Sequence, residues 1–217
     1  MASYPPLEVR VWGDLACFTR PEMKVERVTY PVMTPSAARG VLEAIFWKPE
    51  FDWRVREILV LREPRYFSIL RNEVNNLVSE RSARSWVGTA DGFNAPEDRA
   101  QRHTLALRDV AYVIRADQTL RAHATDDIAK YRDQFQRRVR NGRCFATPYL
   151  GCREFSAAFG LPQESDHPIP ASEPLGSMLF DIEHSMDGSG SKRPRFFEAT
   201  LEHGVLHVPD ALYARGT

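Results

Sequence analysis

An α+β fold is what the sequence predicts: a ferredoxin-like (RNA-recognition-motif-like) N-terminal domain over residues 1–162, then a small antiparallel β-sheet domain over 163–217. Three observations predict it. Most ordered segments alternate apolar and polar residues, the strand period. Two amphipathic helices with their own start and stop signals fall between strands in the order β-α-β-β-loop-β-α-β. A Pro- and Ser-containing stretch from Gln163 then separates this set from three more short strands.

Residues 7–18, LEVRVWGDLACF, alternate and then turn apolar, as a strand does. Thr34 is a good N-cap and Pro35 suits the first helical position, so a helix is expected over 35–47, with Pro49 helping to end it. Residues 51–61 place Phe51, Trp53 and Val55 on one face and Asp52, Arg54 and Arg56 on the other. PRYFSILRNEV reads as that strand's antiparallel neighbour. Residues 75–98 are polar and aperiodic, the signature of a long mobile loop, a kind that often carries function. Residues 101–117 form a long strand. DDIAKYRDQFQRRVRNG has acids first, cations last and Gly142 just beyond, which suits the helix dipole and a glycine C-cap. Its apolar face is Ile128, Tyr131, Phe135 and Val139, with Arg132, Arg137, Arg138 and Arg140 largely off it. YLGCREFSAAF reads as a further strand. SMLFDIEHS, RPRFFEATLE and GVLHV are the C-terminal strands, with DGSGSK as a hairpin loop.

Composition excludes several classes. The chain has 217 residues, 43% hydrophobic and 27% charged, which is globular. No apolar run approaches the ~20 residues that span a bilayer, and the N-terminus lacks a signal-peptide pattern, so a cytoplasmic protein is expected. Cys17, Cys144 and Cys152 make neither a disulfide framework nor zinc spacing and are expected to be small buried residues. No phosphate-binding loop, dinucleotide fingerprint, HExxH or GxSxG is present, and the six histidines are scattered. No metal or cofactor is predicted.

Net charge is zero but unevenly spread. Residues 99–153 hold twelve Lys and Arg against five Asp and no Glu, while 164–217 hold nine acids against four cations. A basic middle segment suits a localised anionic partner, or else a solvated helix face. Arg71, Arg99, Arg102, Arg108, Arg137, Arg138, Arg143 and Arg153 could take phosphates. Phe46, Trp47, Tyr66, Trp86 and Tyr149 could offer π faces, although Trp47 and Tyr149 are each expected to be core rather than platform. Interleaved cations and aromatics suit single-stranded or structured RNA.

The segment VWGDLACFTRPEMKVERVTYPVMTPSAARGVLEAIFWKPEF, followed by RNEV, LALRDVAYVI and NGRCFATPYLGCREF, resembles the CRISPR-associated Cas-five family, subtype d, of type I-C systems. Nearly the whole chain is covered, and PYLGCREF with the WKP helix end is the specific part. The resemblance implies metal-independent endoribonuclease cleavage beside the hairpin of the CRISPR repeat transcript, by attack of the RNA's own 2′-hydroxyl. It also implies retention of the guide RNA's 5′ handle and assembly with other subunits of the interference complex. Cleaving members carry a tyrosine at the helix end and a Lys–His pair on a central strand. Those positions fall at Phe46 and near Ala116 and Asp117 here, and neither feature is kept. Candidate stand-ins are His103, Lys48, Tyr112 and Arg115, with His103 able to titrate near neutrality. The RNA-binding set is Phe46, Trp47, Arg71, Arg102, Arg108, Arg137, Arg138, Arg143 and Arg153. The alternative is a non-catalytic subunit that holds the guide RNA. Nonspecific duplex DNA binding through the same arginines is expected to fall with salt.

Overall fold

The computed structural model describes residues 4–23, 25–88, 92–184 and 192–214. Strands β1 (Leu7–Ala16), β2 (Arg27–Val28), β3 (Phe51–Val60), β4 (Tyr66–Val74), β5 (Arg99–Leu120), β6 (Ala158–Gly160), β7 (Glu173–His184), β8 (Lys192–Glu202) and β9 (Val205–His207) join one curled, mostly antiparallel sheet. Helices are α1 (Pro35–Ile45), α2 (Glu80–Ser85) and α3 (Ile128–Arg140). No described helix is long and apolar enough to cross a membrane.

The main path of the sheet runs β6-β1-β5-β3-β9-β8-β7. Strand β5 is the spine. Its C-terminal half pairs with β1 on one edge and β3 on the other, and its N-terminal half pairs with β4. The expectation that β4 neighbours β3 is corrected here. Both strands lie end to end along one edge of β5, with Val60 opposite Tyr112 and Tyr66 opposite Leu107. The second edge of β3 is taken by β9. The break falls at residues 61–65, opposite Asp109, whose φ of 55° kinks β5. Arg62 pairs with the Asp109 carboxylate there.

Helix α1 starts as its sequence dictates: the Thr34 hydroxyl accepts from the Ala37 N–H at 3.2 Å. It stops at Ile45, earlier than expected, because Phe46 turns to an extended conformation (φ −152°, ψ 112°). Both α1 and α3 cover the face of the sheet carrying Phe51 and Trp53. Phe46 packs on Phe51 (5.5 Å between ring centres) and Trp53 on Phe135 (4.8 Å). Arg132, expected off the apolar face of α3, is instead buried and donates to the Pro5 carbonyl. Its side chain lies over the Tyr4 ring, and burial lowers its pKa from the ordinary arginine range.

Two further expectations change. PYLGCREF is not a strand but a turn closed by a Tyr149–Ser156 bridge, with only Ala158–Gly160 extended into the sheet. Gly151 (φ +85°) is the reason: the turn presses so closely on β1 that a Cβ there would sit 2.1 Å from the Cys17 carbonyl oxygen. Residues 75–98 include α2 and are tied at the base by Asp98, which accepts from the Asn76 N–H (2.8 Å) and side-chain amide. Residues 89–91 lie outside the described part, as does the expected DGSGSK loop up to residue 191.

The C-terminal strands share the core. Leu179, Phe180, Leu201 and Leu206 belong to the same buried cluster as Val41, Leu42 and Ile58. Tyr213 Oη clasps Val55 through both its N–H (2.9 Å) and C=O (3.0 Å).

Gly151→Ala should lower unfolding stability by roughly 2 kcal/mol or more, since a strained backbone adds to a clash with another backbone. Gly142 (φ +61°) faces open space, so Gly142→Ala should cost only about 1 kcal/mol. Urea unfolding of the two variants checks the difference.

Candidate nucleic-acid interface

The last carbonyls of a helix have no partner within it. At the end of α1 three are taken by groups outside the helix. The Phe145 and Ala146 N–H groups donate to Ala44 O (2.8 and 3.0 Å), Arg138 Nη1 to Ile45 O (3.2 Å), and Trp53 Nε1 to Phe46 O (3.0 Å). These bonds draw the end of α1, the last turn of α3 and the loop after it into one surface.

The α3 terminus supplies its charge. Arg137, Arg138 and Arg140 lie in the last turn, where cations favour the dipole. Gly142, in the left-handed region, lets the chain fold back so that the Arg143 N–H reaches Arg138 O at 2.9 Å. A cleft of about 610 Å³ results, lined by Gln134, Arg137, Arg138, Asn141, Arg143 and Cys144, with no carboxylate in its lining. Trp47 (52% exposed) and Phe145 (79% exposed) flank the same helix end, and Lys48 is exposed beside Trp47.

The structure thus sets Arg138 against the end of α1, where Trp47 and Lys48 follow in sequence, and gathers Arg137 and Arg143 with it in one cleft. Phe46, placed among the RNA-facing aromatics by the sequence, is only 2% exposed. It lies under the Arg138 guanidinium (5.3 Å) and so supports the surface instead of forming it. Phe145 takes its place and was missed. Its one sequence signal is an aromatic between the exposed Cys144 and Pro148 inside the GRCFATPY run.

The other arginines lie elsewhere. Arg71, Arg102 and His103 belong to the arm made by β4 and the first half of β5, with His103 exposed opposite Leu70. The end of α1 leads into Phe51, opposite Leu120, so His103 is separated from it by roughly 55 Å of strand. His103 and Lys48 cannot serve one reacting phosphate in this conformation. Arg71 binds Glu154 (2.6 Å) and Glu73 (2.9 Å), and Arg102 binds Asn75 (3.0 Å) with Glu73 at 3.6 Å. Arg108 is exposed at the kink, and Arg153 is exposed in the 149–156 turn. By contrast, no carboxylate lies within ion-pair distance of Lys48, Arg137, Arg138 or Arg143 among the described residues.

Residues 6–209 match the family described as CRISPR-associated protein (Cas_Cas5), subtype Cas5d. The chain belongs to this family. A curated Thermus thermophilus protein named CRISPR pre-crRNA endoribonuclease Cas5d is 47% identical over 222 residues, covering 95% of this chain and 93% of that one. A solved structure described as a CRISPR-associated protein superposes with a TM-score of 0.66 at 21% identity, over 96% of this chain and 95% of that one. A chain from a CRISPR RNA-guided surveillance complex superposes at 0.52 with 16% identity, over 95% and 92%. Both structures bear on the fold.

At the positions where the resemblance expects a tyrosine and a Lys–His pair, no free titratable side chain is exposed: Phe46 is buried. Ala116 is buried between Leu7 and Val55, and Asp117 accepts from Arg56 Nε at 2.6 Å. Two proposed stand-ins are corrected by their surroundings. Tyr112 is fully buried, with the Met33 backbone as its hydrogen-bond partner, and burial pushes its hydroxyl far above the ordinary phenol range. Arg115 lies on the opposite sheet face from α1 and α3, held by Glu57 (2.9 Å) and Glu8 (2.7 Å), which raise its pKa further. Neither reaches the surface at the α1 end. Lys48 is the one candidate catalytic residue that lies there.

Replacing Arg137 and Arg143 together by Ala should lower affinity for a repeat-RNA hairpin about tenfold at ~0.1 M salt and flatten the log–log salt slope by about 1.4, with an unchanged melting temperature. Arg71→Ala should do the reverse: unchanged affinity and a lower melting temperature, since it removes one member of a partly buried ion network. Filter binding and thermal melts separate the two.

Proposed function

We propose that this protein binds CRISPR repeat RNA at the end of α1 and cleaves the precursor transcript without a metal, using the RNA's 2′-hydroxyl as nucleophile. One observation carries the binding half: among the described residues, cations without a carboxylate partner and exposed aromatics lie at the α1 end, whereas Arg71 and Arg102 on the arm are held by Glu73 and Glu154. Phosphates suit Arg137, Arg138 and Arg143, and unstacked bases suit Trp47 and Phe145. Cleavage is supported by the activity in the Thermus thermophilus relative's name. Lys48, exposed at the α1 end, would stabilise the negative charge developing on the phosphoryl oxygens. The product's 5′ handle then stays on this surface within a type I-C interference complex. Duplex DNA would meet the same cations through its backbone alone.

We further read residues 1–162 as a ferredoxin-like domain, supported by the β6-β1-β5-β3 order with α1 and α3 on one face. Residues 163–217 are an appended β module that shares its core.

A second reading is favoured by a specific observation. Phe46 and Ala116 carry no titratable group and Asp117 is held by Arg56, so the chain could hold guide RNA without cutting it.

The deciding experiment is incubation with the cognate repeat hairpin in EDTA. Discrete cleavage ending in a 2′,3′-cyclic phosphate, abolished by a 2′-deoxy group at the scissile position, is the expected result. Intact RNA at concentrations where binding is demonstrated establishes the second reading. If cleavage occurs, Lys48→Ala should slow the single-turnover rate about 100-fold while leaving affinity nearly unchanged.

A further inference from the structure

We propose that Cys17 and Cys152 form a reversible disulfide, making the junction between β1 and the 149–156 turn a thiol-oxidation site. The two residues lie 135 positions apart and meet because the turn docks on the end of β1. The Cys17 N–H donates to Leu150 O at 3.0 Å, and Gly151, lacking a Cβ, lets the turn close against the Cys17 carbonyl. Cys152 Sγ lies 3.6 Å from that carbonyl, and both sulfurs contact Thr19 Oγ1, at 3.4 Å for Cys17 and 3.9 Å for Cys152.

The surroundings make the pair asymmetric. Arg27 of β2 donates from Nη1 to Cys152 Sγ at 3.3 Å. The neighbouring Cys17, followed by Arg27, holds the Cys152 thiol below the ordinary thiol range, while Cys17 is pushed well above it. Charged groups around the pair are few: Arg27 itself, with Glu154 from the turn (3.4 Å) and Glu73 from β4 (3.5 Å) on the same guanidinium. Cys152 therefore supplies a thiolate and Cys17 a neighbouring thiol, the arrangement in which one cysteine is oxidised and the other resolves it. Cys152 is 7% exposed, and a pocket of about 310 Å³ lies beside the pair, lined by their neighbours Phe18, Thr19 and Gly151.

The oxidant is a peroxide. The Cys152 thiolate attacks one peroxide oxygen and the O–O bond breaks, giving a sulfenic acid and hydroxide, which takes up the proton Cys152 had released. The Cys17 sulfur then attacks the sulfenic sulfur, its proton leaving with the hydroxyl as water. Two sulfurs are oxidised by one electron each and two oxygens reduced, with two waters formed. A small thiol reverses the reaction. The crosslink fixes the turn to β1 and removes one anionic partner from Arg27, leaving it to the carboxylates that tie the arm.

The test treats the full chain, carrying Cys144→Ser to remove the exposed thiol, with hydrogen peroxide. Alkylation and peptide mass mapping follow. The expected product joins the Cys17 and Cys152 peptides, lighter by two hydrogens, and dithiothreitol restores both thiols. Crosslinking should slow at least tenfold between pH 7 and pH 5, and at least tenfold at pH 7 in Arg27→Gln. The pH series needs no substitution, so it stands even if that variant folds poorly. Recovery of two alkylated cysteines, or of Cys152 as sulfinic acid with Cys17 still a thiol, overturns the proposal. So does a rate that does not change with pH.

Discussion

The carbonyls at the end of α1 constrain this molecule more than any other group. Three unpartnered oxygens point out of the helix where the core gives way to surface, and each needs a donor. Trp53, Arg138 and the 145–146 backbone supply them, from three different segments. Meeting that requirement fixes how α3 lies against α1 and where the 141–147 loop runs. It also aligns the guanidiniums of α3 with exposed Trp47 and Phe145. The interface is thus a by-product of helix termination: the groups that satisfy the backbone are the groups that gather the charge.

Charge pairing then separates two populations of arginine that look alike in the sequence. On the arm, Arg27, Arg71 and Arg102 share Glu73 and Glu154 and hold secondary structure together. At the α1 end the cations have no carboxylate partner among the described residues, and Arg138 donates to the Ile45 carbonyl instead. A guanidinium already bonded to carboxylates must give up those bonds to take a phosphate, whereas an unpaired one gives up only water. The same reasoning removes Arg115, enclosed by two acids, from any site that anions enter.

The PYLGCREF run does mechanical work that its composition conceals. Gly151 permits a backbone contact no other residue would, Leu150 fills the space above Gly13, and Cys152 meets Cys17 beneath Arg27. This turn continues directly from the loop that carries Arg143 and Phe145, so the thiol pair and the basic cleft are borne by one stretch of chain. A covalent change at one end of that stretch reaches the other through few rotatable bonds.

The sequence by itself determined the α+β class, most of the strands, both capped helices and the membership of the basic segment. Each rests on local signals: a period of 2 or 3.6, a Thr-Pro start, an Asn-Gly stop. It also held the family resemblance that the match over residues 6–209 bears out. Only the tertiary structure decided which edge of β5 each strand takes, that PYLGCREF turns, and that Phe46 and Tyr112 are buried. It alone decided that His103 stands far from Lys48 and that Phe145 is exposed. The reason is physical. Periodicity reports which face of an element is apolar, but pairing partners, ion pairs and the exposure of an aromatic at a helix end depend on residues a hundred positions away. Those are brought near only when the backbone's unpaired groups find their donors.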